Sequence, residues 1–145
     1  MLNMDRHCST LLITAVLSFP TAPAAAADLG VAVENVRDGQ GQVKLMLFDR
    51  DEGFRKEDKA RQILALPAGA GTVSGVFPGL SPGRYAVIAY HDENGDGKLN
   101  LRFGMFPKEG YGLSNNPKLS GPPKFADAAF DVPETGCRID IRLGY

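Results

Sequence analysis

The run Arg84-Tyr85-Ala86-Val87-Ile88-Ala89-Tyr90 carries the strongest strand signal in the chain. β-Branched and aromatic side chains favour extended backbone, and near-continuous apolarity is typical of a strand covered on both faces. We therefore predict a central strand here. An acidic, glycine-rich stretch follows directly after Tyr90, so candidate functional residues come at the end of a buried strand.

Shorter segments with alternating apolar residues lie on both sides of this run and predict further strands. Turn residues at 38–41 predict that the first two strands form a hairpin, and the last two are predicted as a second pair. Pro67 cannot donate to a ladder and so predicts an edge strand. The predicted strands span 29–36, 42–48, 63–67, 72–77, 84–90, 125–132 and 138–143. The predicted core comprises Leu45, Leu47, Val87, Ala89, Ile139 and Ile141.

These strands predict an all-β protein with the architecture of a single β-sandwich of about seven strands. The charged segment 49–62 is predicted to be a solvated connection around Phe54. Residues 104–124 are rich in Gly, Pro and Asn and too long for an ordinary connection, which predicts one long ordered loop. Met105 and Phe106 are part of the argument against disorder there.

The first 27 residues have the layout of a secretory signal peptide. An apolar run at 10–19 is too short to span a bilayer, and Ala25-Ala26-Ala27 precedes Asp28. We therefore expect cleavage after Ala27, a sandwich domain over 28–145, and an exported protein that is periplasmic or extracellular. Cys137 is then the only cysteine left, and its alternating strand predicts a small buried side chain.

Composition narrows the classes of partner. Sixteen Lys and Arg nearly balance seventeen Asp and Glu, which gives a formal charge of −1. Without a basic stripe or a polybasic cluster, the sequence predicts neither nucleic-acid binding nor membrane insertion after signal cleavage. We expect a monomer whose partner is a protein or a glycan.

The stretch His91-Asp92-Glu93-Asn94-Gly95-Asp96-Gly97-Lys98-Leu99-Asn100 matches the first half of a calcium loop. Oxygen-bearing side chains at Asp92, Asn94 and Asp96 alternate, and Gly97 permits the sharp bend that directs them to one centre. The backbone carbonyl of Lys98 and the side chain of Asn100 would add two further oxygens. These five residues are the candidate Ca²⁺ ligands within the loop.

The twelfth position of this loop is Phe103 instead of the usual bidentate glutamate, so one ligand must come from elsewhere. Glu109 is the best candidate, because Gly110 beside it would let the backbone approach. A second interpretation stays open. Asp, Asn and Gly are ordinary turn residues, and Asn94-Gly95 alone could form a two-residue hairpin turn.

An enzyme is the alternative function that the residues allow. His91 is the only histidine after the predicted cleavage site, and with Asp92 and Glu109 it could serve a small periplasmic hydrolase or lyase. No base and nucleophile are arranged together elsewhere, and dense oxygen clusters more often hold cations. We therefore expect a non-catalytic module.

Two motifs carry a family resemblance. The run Phe77-Pro78-Gly79-Leu80-Ser81-Pro82-Gly83-Arg84-Tyr85 resembles a signature of transthyretin-like (immunoglobulin-like) sandwiches, as in carboxypeptidase regulatory domains. Gly83 would accept positive φ, and the Tyr85 hydroxyl would bond nearby backbone. The C-terminal tail of the transthyretin-like purine hydrolases is missing.

The wider match is to the secreted bacterial family known as domain of unknown function 2141. It is carried by Tyr85 to Leu99 and by the runs Glu109-Gly110-Tyr111-Gly112, Ser114-Asn115-Asn116 and Gly121-Pro122-Pro123-Lys124-Phe125. This resemblance implies an exported sandwich domain and brings no established activity. Met105-Phe106 departs from it, because less bulky residues are expected before the proline.

Overall fold

The strand that follows the Pro82-Gly83 turn lies inside a five-stranded sheet. The computed structural model describes residues 26–145. The strands of this sheet are β2 (Gln42–Phe48), β3 (Gln62–Pro67), β5 (Gly83–Asp92), β8 (Gly110–Leu113) and β9 (Phe130–Val132). Four of them follow the order β3-β2-β5-β8, and β9 also pairs with β5. The central position predicted for β5 is confirmed, as is the edge position of β3.

A second sheet of three strands packs against the first. Its members are β1 (Ala27–Val36), β4 (Gly71–Leu80) and β10 (Cys137–Arg142), in the order β10-β1-β4. β1 runs parallel to β10 and antiparallel to β4. Alternate residues of β1 point at the other sheet, because side chains on a strand alternate between its two faces.

The main core lies between these two sheets, as expected for a β-sandwich. Apolar residues from β1 and β10 on one side meet residues from β2 and β5 on the other. The predicted core is confirmed, with Ile139 only partly buried. Its members include Leu29, Val31, Val33, Val43, Leu45, Leu47, Val87, Ala89, Ile141 and Leu143.

The outer face of the five-stranded sheet is also covered. Phe54 lies on Phe48 with ring centroids 5.1 Å apart, and both belong to a second apolar cluster with Met46, Ile88 and Tyr90. The segment 49–62 therefore carries more than solvated charge. Three of its charged residues form a 3₁₀ helix, Glu57–Lys59, and its phenylalanine packs on the outer face of the sheet.

Several sequence predictions about pairing are wrong. β1 and β2 belong to different sheets and form no hairpin, and β9 pairs with β5 instead of β10. The segment predicted as one strand over 125–132 is a short helix, α1 (Phe125–Ala128), followed by β9. The described residues contain ten strands instead of about seven.

The long segment after the acidic loop is ordered by strands that the sequence analysis missed. β6 (Leu101–Arg102) pairs with β7 (Phe106–Pro107), and β8 joins the main sheet. Met105 and Phe106, which were expected to support packing there, are exposed. Their side chains therefore do not order the segment, which is held by its strand pairing.

Two smaller sequence predictions are confirmed only in part. The Tyr85 hydroxyl donates to the carbonyl of Ser81 at 2.7 Å, as expected, but Gly83 does not have positive φ; the glycine that does is Gly79 (69°), near the end of β4. Cys137 is half-buried against the core, and burial raises the pKa of its thiol.

The predicted signal peptide lies almost entirely outside the described residues. Ala27, at the predicted cleavage site, is a buried residue that begins β1 and pairs with Leu80. Over residues 26–145, no helix has both the length and the apolarity needed to cross a membrane.

Candidate functional site

The acidic loop begins where β5 ends, and strand pairing brings Glu109 to it. The last pair in the β5–β8 ladder is His91 with Gly110, so Asp92 and Glu109 follow directly at the end of the ladder. The chain does not fold back at Asn94-Gly95, because the antiparallel partner of β5 begins only at Gly110. The two-residue hairpin interpretation of the loop is therefore wrong.

Asp92 is the innermost residue of the loop and is fully buried. Its Oδ2 accepts hydrogen bonds from the Gln42 side chain at 3.0 Å and from the Gly97 backbone N–H at 2.9 Å. Its Oδ1 is buried and has no hydrogen-bond partner among the described residues. An unpaired buried carboxylate oxygen is costly, so this atom is the strongest sign of an additional ligand.

Asn94, Asp96 and Asn100 form the solvent-facing rim of the loop. Asp96 Oδ2 accepts from the amide groups of Asn94 at 3.2 Å and of Asn100 at 2.9 Å, and its Oδ1 accepts from the Lys98 backbone N–H at 2.8 Å. These hydrogen bonds, with that from Asn100 first, lower the pKa of Asp96. The carboxylate therefore stays ionised at neutral pH, as a cation ligand must.

Glu109 bonds both ends of the loop. Its side chain is buried; Oε1 accepts from the Glu93 backbone N–H at 3.2 Å and Oε2 from the Asn100 backbone N–H at 3.0 Å. Glu109 was predicted from the sequence to reach the loop, and the structure places it there. The close approach at Gly110 is made to the ring of Tyr145, where an added Cβ would lie 2.5 Å from the ring carbon Cζ.

Two residues that sequence reasoning missed hold the bend of the loop. Lys44 Nζ and the Tyr90 hydroxyl both donate to the carbonyl of Gly97, at 3.1 and 3.0 Å. Lys44 is buried and also bonds Glu57. Lys44 was visible in β2 as a lysine that shares its strand face with Met46, but the sequence did not indicate the loop as its partner.

The ionisation of these two residues follows from their contacts. Burial works to lower the pKa of Lys44, but the bonds with Glu57 and Tyr90 outweigh it and raise the pKa above its ordinary value. Burial is the main cause of the raised pKa of Tyr90. Lys44 is therefore a cation and Tyr90 a neutral donor at neutral pH, and the Gly97 carbonyl accepts from both.

His91 is fully buried beside the site and both of its ring nitrogens are engaged. Nε2 lies 2.7 Å from the carbonyl of Gln40, so it must carry the proton, and Nδ1 lies 3.0 Å from the Tyr145 hydroxyl. The guanidinium of Arg37 stacks on the Tyr145 ring at 4.0 Å. These contacts connect β5 to the end of the chain and leave His91 no free nitrogen for a substrate.

The structure brings the predicted ligands together, but their carboxylates do not form one coordination shell. Asp92 lies at the bottom of the loop, Asn94, Asp96 and Asn100 at the rim, and Glu109 at the junction of the two loop ends. Within residues 26–145, no group of three or more His, Cys, Asp or Glu side chains is placed to hold a metal ion. The predicted set depends in part on amide and carbonyl oxygens instead, which suit Ca²⁺ better than a transition metal.

Comparison with known proteins places the chain in a family. Residues 31–140 match the family described as "Uncharacterized protein conserved in bacteria (DUF2141)". The chain belongs to this family. The matched span of this DUF2141 member contains the whole acidic loop and Glu109. No curated protein and no solved structure matches the chain.

Proposed function

We propose that this protein is an exported, non-catalytic β-sandwich module whose acidic loop binds Ca²⁺ and orders the interaction surface beside it. The observation that carries the proposal is Asp92, a fully buried carboxylate with one oxygen bonded and the other without a hydrogen-bond partner among residues 26–145. A bound cation would satisfy that oxygen and the negative charge of the carboxylate together.

The remaining oxygens suit the same ion. Asp96 and the amide oxygens of Asn94 and Asn100 lie at the rim, with the carbonyl of Lys98 in the same loop. A carboxylate oxygen that accepts one N–H bond still has a free lone pair, so Glu109 could bind the ion while it keeps its backbone contacts. Calcium would supply charge neutralisation and a fixed loop conformation, and the protein supplies a preformed bend at Gly97.

A calcium titration of the purified protein tests this proposal. Extracellular calcium modules bind at about 10⁻⁴ to 10⁻³ M, and stabilisation grows by about 1.4 kcal/mol for each tenfold excess over the dissociation constant. We expect a rise in melting temperature with millimolar Ca²⁺ and a smaller rise with Mg²⁺. If neither ion changes the melting temperature, the loop is not a metal site.

A pair of matched substitutions locates the effect. Asp96 and Asp131 are both exposed aspartates, but only Asp96 belongs to the loop. Asp96→Asn should abolish the calcium-dependent rise, whereas Asp131→Asn should keep it. Equal calcium stabilisation of both variants would mean that the ion binds elsewhere.

The finer assignments of fold and location are part of the same proposal. The transthyretin-like arrangement is supported by two packed sheets and by the Tyr85 hydroxyl bond to Ser81 at the strand corner. Export is supported by the apolar run and the three alanines before Asp28. Intact mass of the protein from the cell envelope or medium should show a chain that begins at Asp28, and full-length protein in the cytosol would contradict export.

The alternative of a small periplasmic hydrolase or lyase has less support. A general base must come within hydrogen-bond reach of its substrate. His91 is fully buried, and both of its ring nitrogens already have partners. An acid–base role for His91 would therefore require the contacts with Tyr145 and Gln40 to break first.

A further inference from the structure

The hairpin of β6 and β7 presents the most exposed apolar side chains among the described residues. Phe103 is 84 % exposed, Met105 71 % and Phe106 61 %, and Leu101 beside them is also exposed. Single exposed apolar residues are ordinary, but several of them together on one short element point to an interaction site. We call residues 101–107 the apolar hairpin.

The apolar hairpin has a defined backbone. Leu101 pairs with Pro107 and Arg102 with Phe106. The three-residue turn between them is Phe103-Gly104-Met105, in which Phe103 and Gly104 have positive φ (55° and 69°). Turns of this kind favour Asn followed by Gly, because a bulky residue is strained at positive φ. The chain therefore keeps a phenyl ring at the tip where asparagine would be less strained, which points to a use for the ring.

Basic residues are interspersed with the apolar residues along this stretch of the chain. Residues 97–108 contain Lys98, Arg102 and Lys108, all exposed, and no acidic residue. Counted over 92–109, these three bases meet four acids, Asp92, Glu93, Asp96 and Glu109, for a formal charge of −1. One bound Ca²⁺ would change that charge to +1, so the ion would convert this region from weakly repelling to attracting anionic surfaces.

We propose that the apolar hairpin docks on an anionic phospholipid bilayer, with its tip in the interfacial layer, and that Ca²⁺ in the adjacent loop strengthens the docking. The calcium dependence rests on the proposed function, whereas the docking itself rests on the hairpin. The hairpin would lie in the membrane interface without spanning the bilayer, which goes beyond the sequence expectation of no membrane insertion.

Shape and charge favour lipid over a protein partner. Side chains as exposed as Phe103 and Met105 project from the domain, and a protein partner would need a preformed pocket for each of them. An acyl interface accepts apolar side chains without a pocket, and exposed Lys or Arg beside them gains from anionic headgroups. The apolar hairpin offers both features on one element.

Vesicle sedimentation with the full exported chain tests the proposal. The probes are sucrose-loaded phosphatidylcholine vesicles with and without a minority of phosphatidylglycerol, each in Ca²⁺ or in chelator. Phe103→Asn removes the ring and suits the turn, so loss of folding cannot explain its effect. Leu119→Asn is the matched control, since Leu119 is also exposed and lies outside the hairpin.

We expect the wild type to sediment with the anionic vesicles, more strongly in Ca²⁺ than in chelator, and only weakly with the neutral ones. Phe103→Asn should lower the partition coefficient by about tenfold, the factor for returning a partly buried aromatic side chain to water. Leu119→Asn should bind like the wild type. Asp96→Asn should remove the calcium enhancement, which separates calcium in the loop from calcium on the lipid.

The other possible outcomes show which of the two proposals, lipid docking or the calcium site, is wrong. If calcium raises the melting temperature but the wild type binds no vesicles, lipid docking is overturned and the calcium site stands. If docking depends on Phe103 but not on Ca²⁺, docking stands and its calcium clause fails. If sedimentation velocity shows that the wild type is a dimer, and Phe103→Asn dissociates it without affecting vesicle binding, the hairpin is a protein interface and the proposal is wrong.

Discussion

Glu109→Gln tests whether one side chain closes the acidic loop. The two carboxylate oxygens accept from backbone N–H groups at the two ends of the loop, Glu93 and Asn100. Glutamine keeps one acceptor and points an amide N–H₂ at the other donor. Hydrogen bonds to charged groups contribute about 1.5–3 kcal/mol net, and we expect about 1.5 here because water can reach the loop once it opens.

The assay follows local opening instead of global unfolding. Lys98, Arg102 and Lys108 are exposed trypsin sites within the segment that Glu109 closes. A loss of about 1.5 kcal/mol increases the open population by about tenfold, and cleavage at these sites should accelerate by that factor. Glu134→Gln is the matched control, since Glu134 is exposed in a turn on another part of the domain.

Two results would refute the reasoning. Cleavage at 98–108 that is no faster in Glu109→Gln than in Glu134→Gln would show that the two hydrogen bonds do not hold the loop. Faster cleavage spread evenly over the chain would show that the change acts on global stability. Calcium should slow loop cleavage in the wild type more than in Glu109→Gln if Glu109 is also a ligand.

Four further substitutions, one of them a control, test the packing of the sandwich. Leu47→Ala should cost about 2–5 kcal/mol in urea unfolding, because its fully buried side chain lies between the sheets, whereas Ile63→Ala on the exposed face of the edge strand should cost far less. Tyr85→Phe removes the hydroxyl bond to Ser81 and should cost about 0.5–1.5 kcal/mol. Burial raises the pKa of Tyr111 to about 12, so unfolded tyrosine ionises first as pH rises above 10 and stability falls between pH 10 and 12. Tyr111→Phe should flatten that part of the stability curve, and an unchanged slope would show that Tyr111 is not its source.

The sequence predicted strands more reliably than their partners. β5 was identifiable because both of its faces are apolar, and alternation in β10 indicated its buried face. Neither pattern indicates which strands pair with each other in the sheet. The turn at 38–41 signalled a reversal of the chain, and β1 instead pairs in parallel with β10, more than a hundred residues away. Such a contact leaves no local signal in the sequence.

The helix α1 shows a local signal that was overlooked. Asp127 accepts a hydrogen bond from the backbone N–H of Lys124 at 2.8 Å, which satisfies a free donor at the helix start. Lys124 follows Pro122-Pro123, and Asp127 lies three positions after it. An acidic residue in the first turn is a sequence signal for the start of a helix. Phe125 was predicted as the first residue of a strand. In the structure it begins α1, and its ring packs on the outer face of the sheet with its centroid 5.8 Å from that of Phe54.

Within the candidate site, the residues of the loop could be predicted from the sequence, but the residues that hold the loop in place could not. Asp92, Asn94 and Asp96 are recognised by spacing along the chain. Lys44 and Gln42 come from β2, fifty residues earlier, and reach the loop only because β2 pairs with β5 in the register Gln42 with Asp92. Glu109 was predicted from its carboxylate and from the glycine beside it, and strand pairing explains why it reaches the loop.

Asn100 joins the acidic loop to the apolar hairpin. Its side chain donates to Asp96, its backbone N–H donates to Glu109, and its carbonyl accepts from Lys108 at 2.8 Å. A cation that fixes Asp96 and Glu109 would therefore fix both sides of the base of the hairpin as well. Because the carbonyl of Gly97 is already held by Lys44 and Tyr90, the part of the loop left for the ion to fix is the stretch around Asn100. Calcium should therefore act most strongly on the orientation of the hairpin, and it should raise the melting temperature of the sandwich modestly.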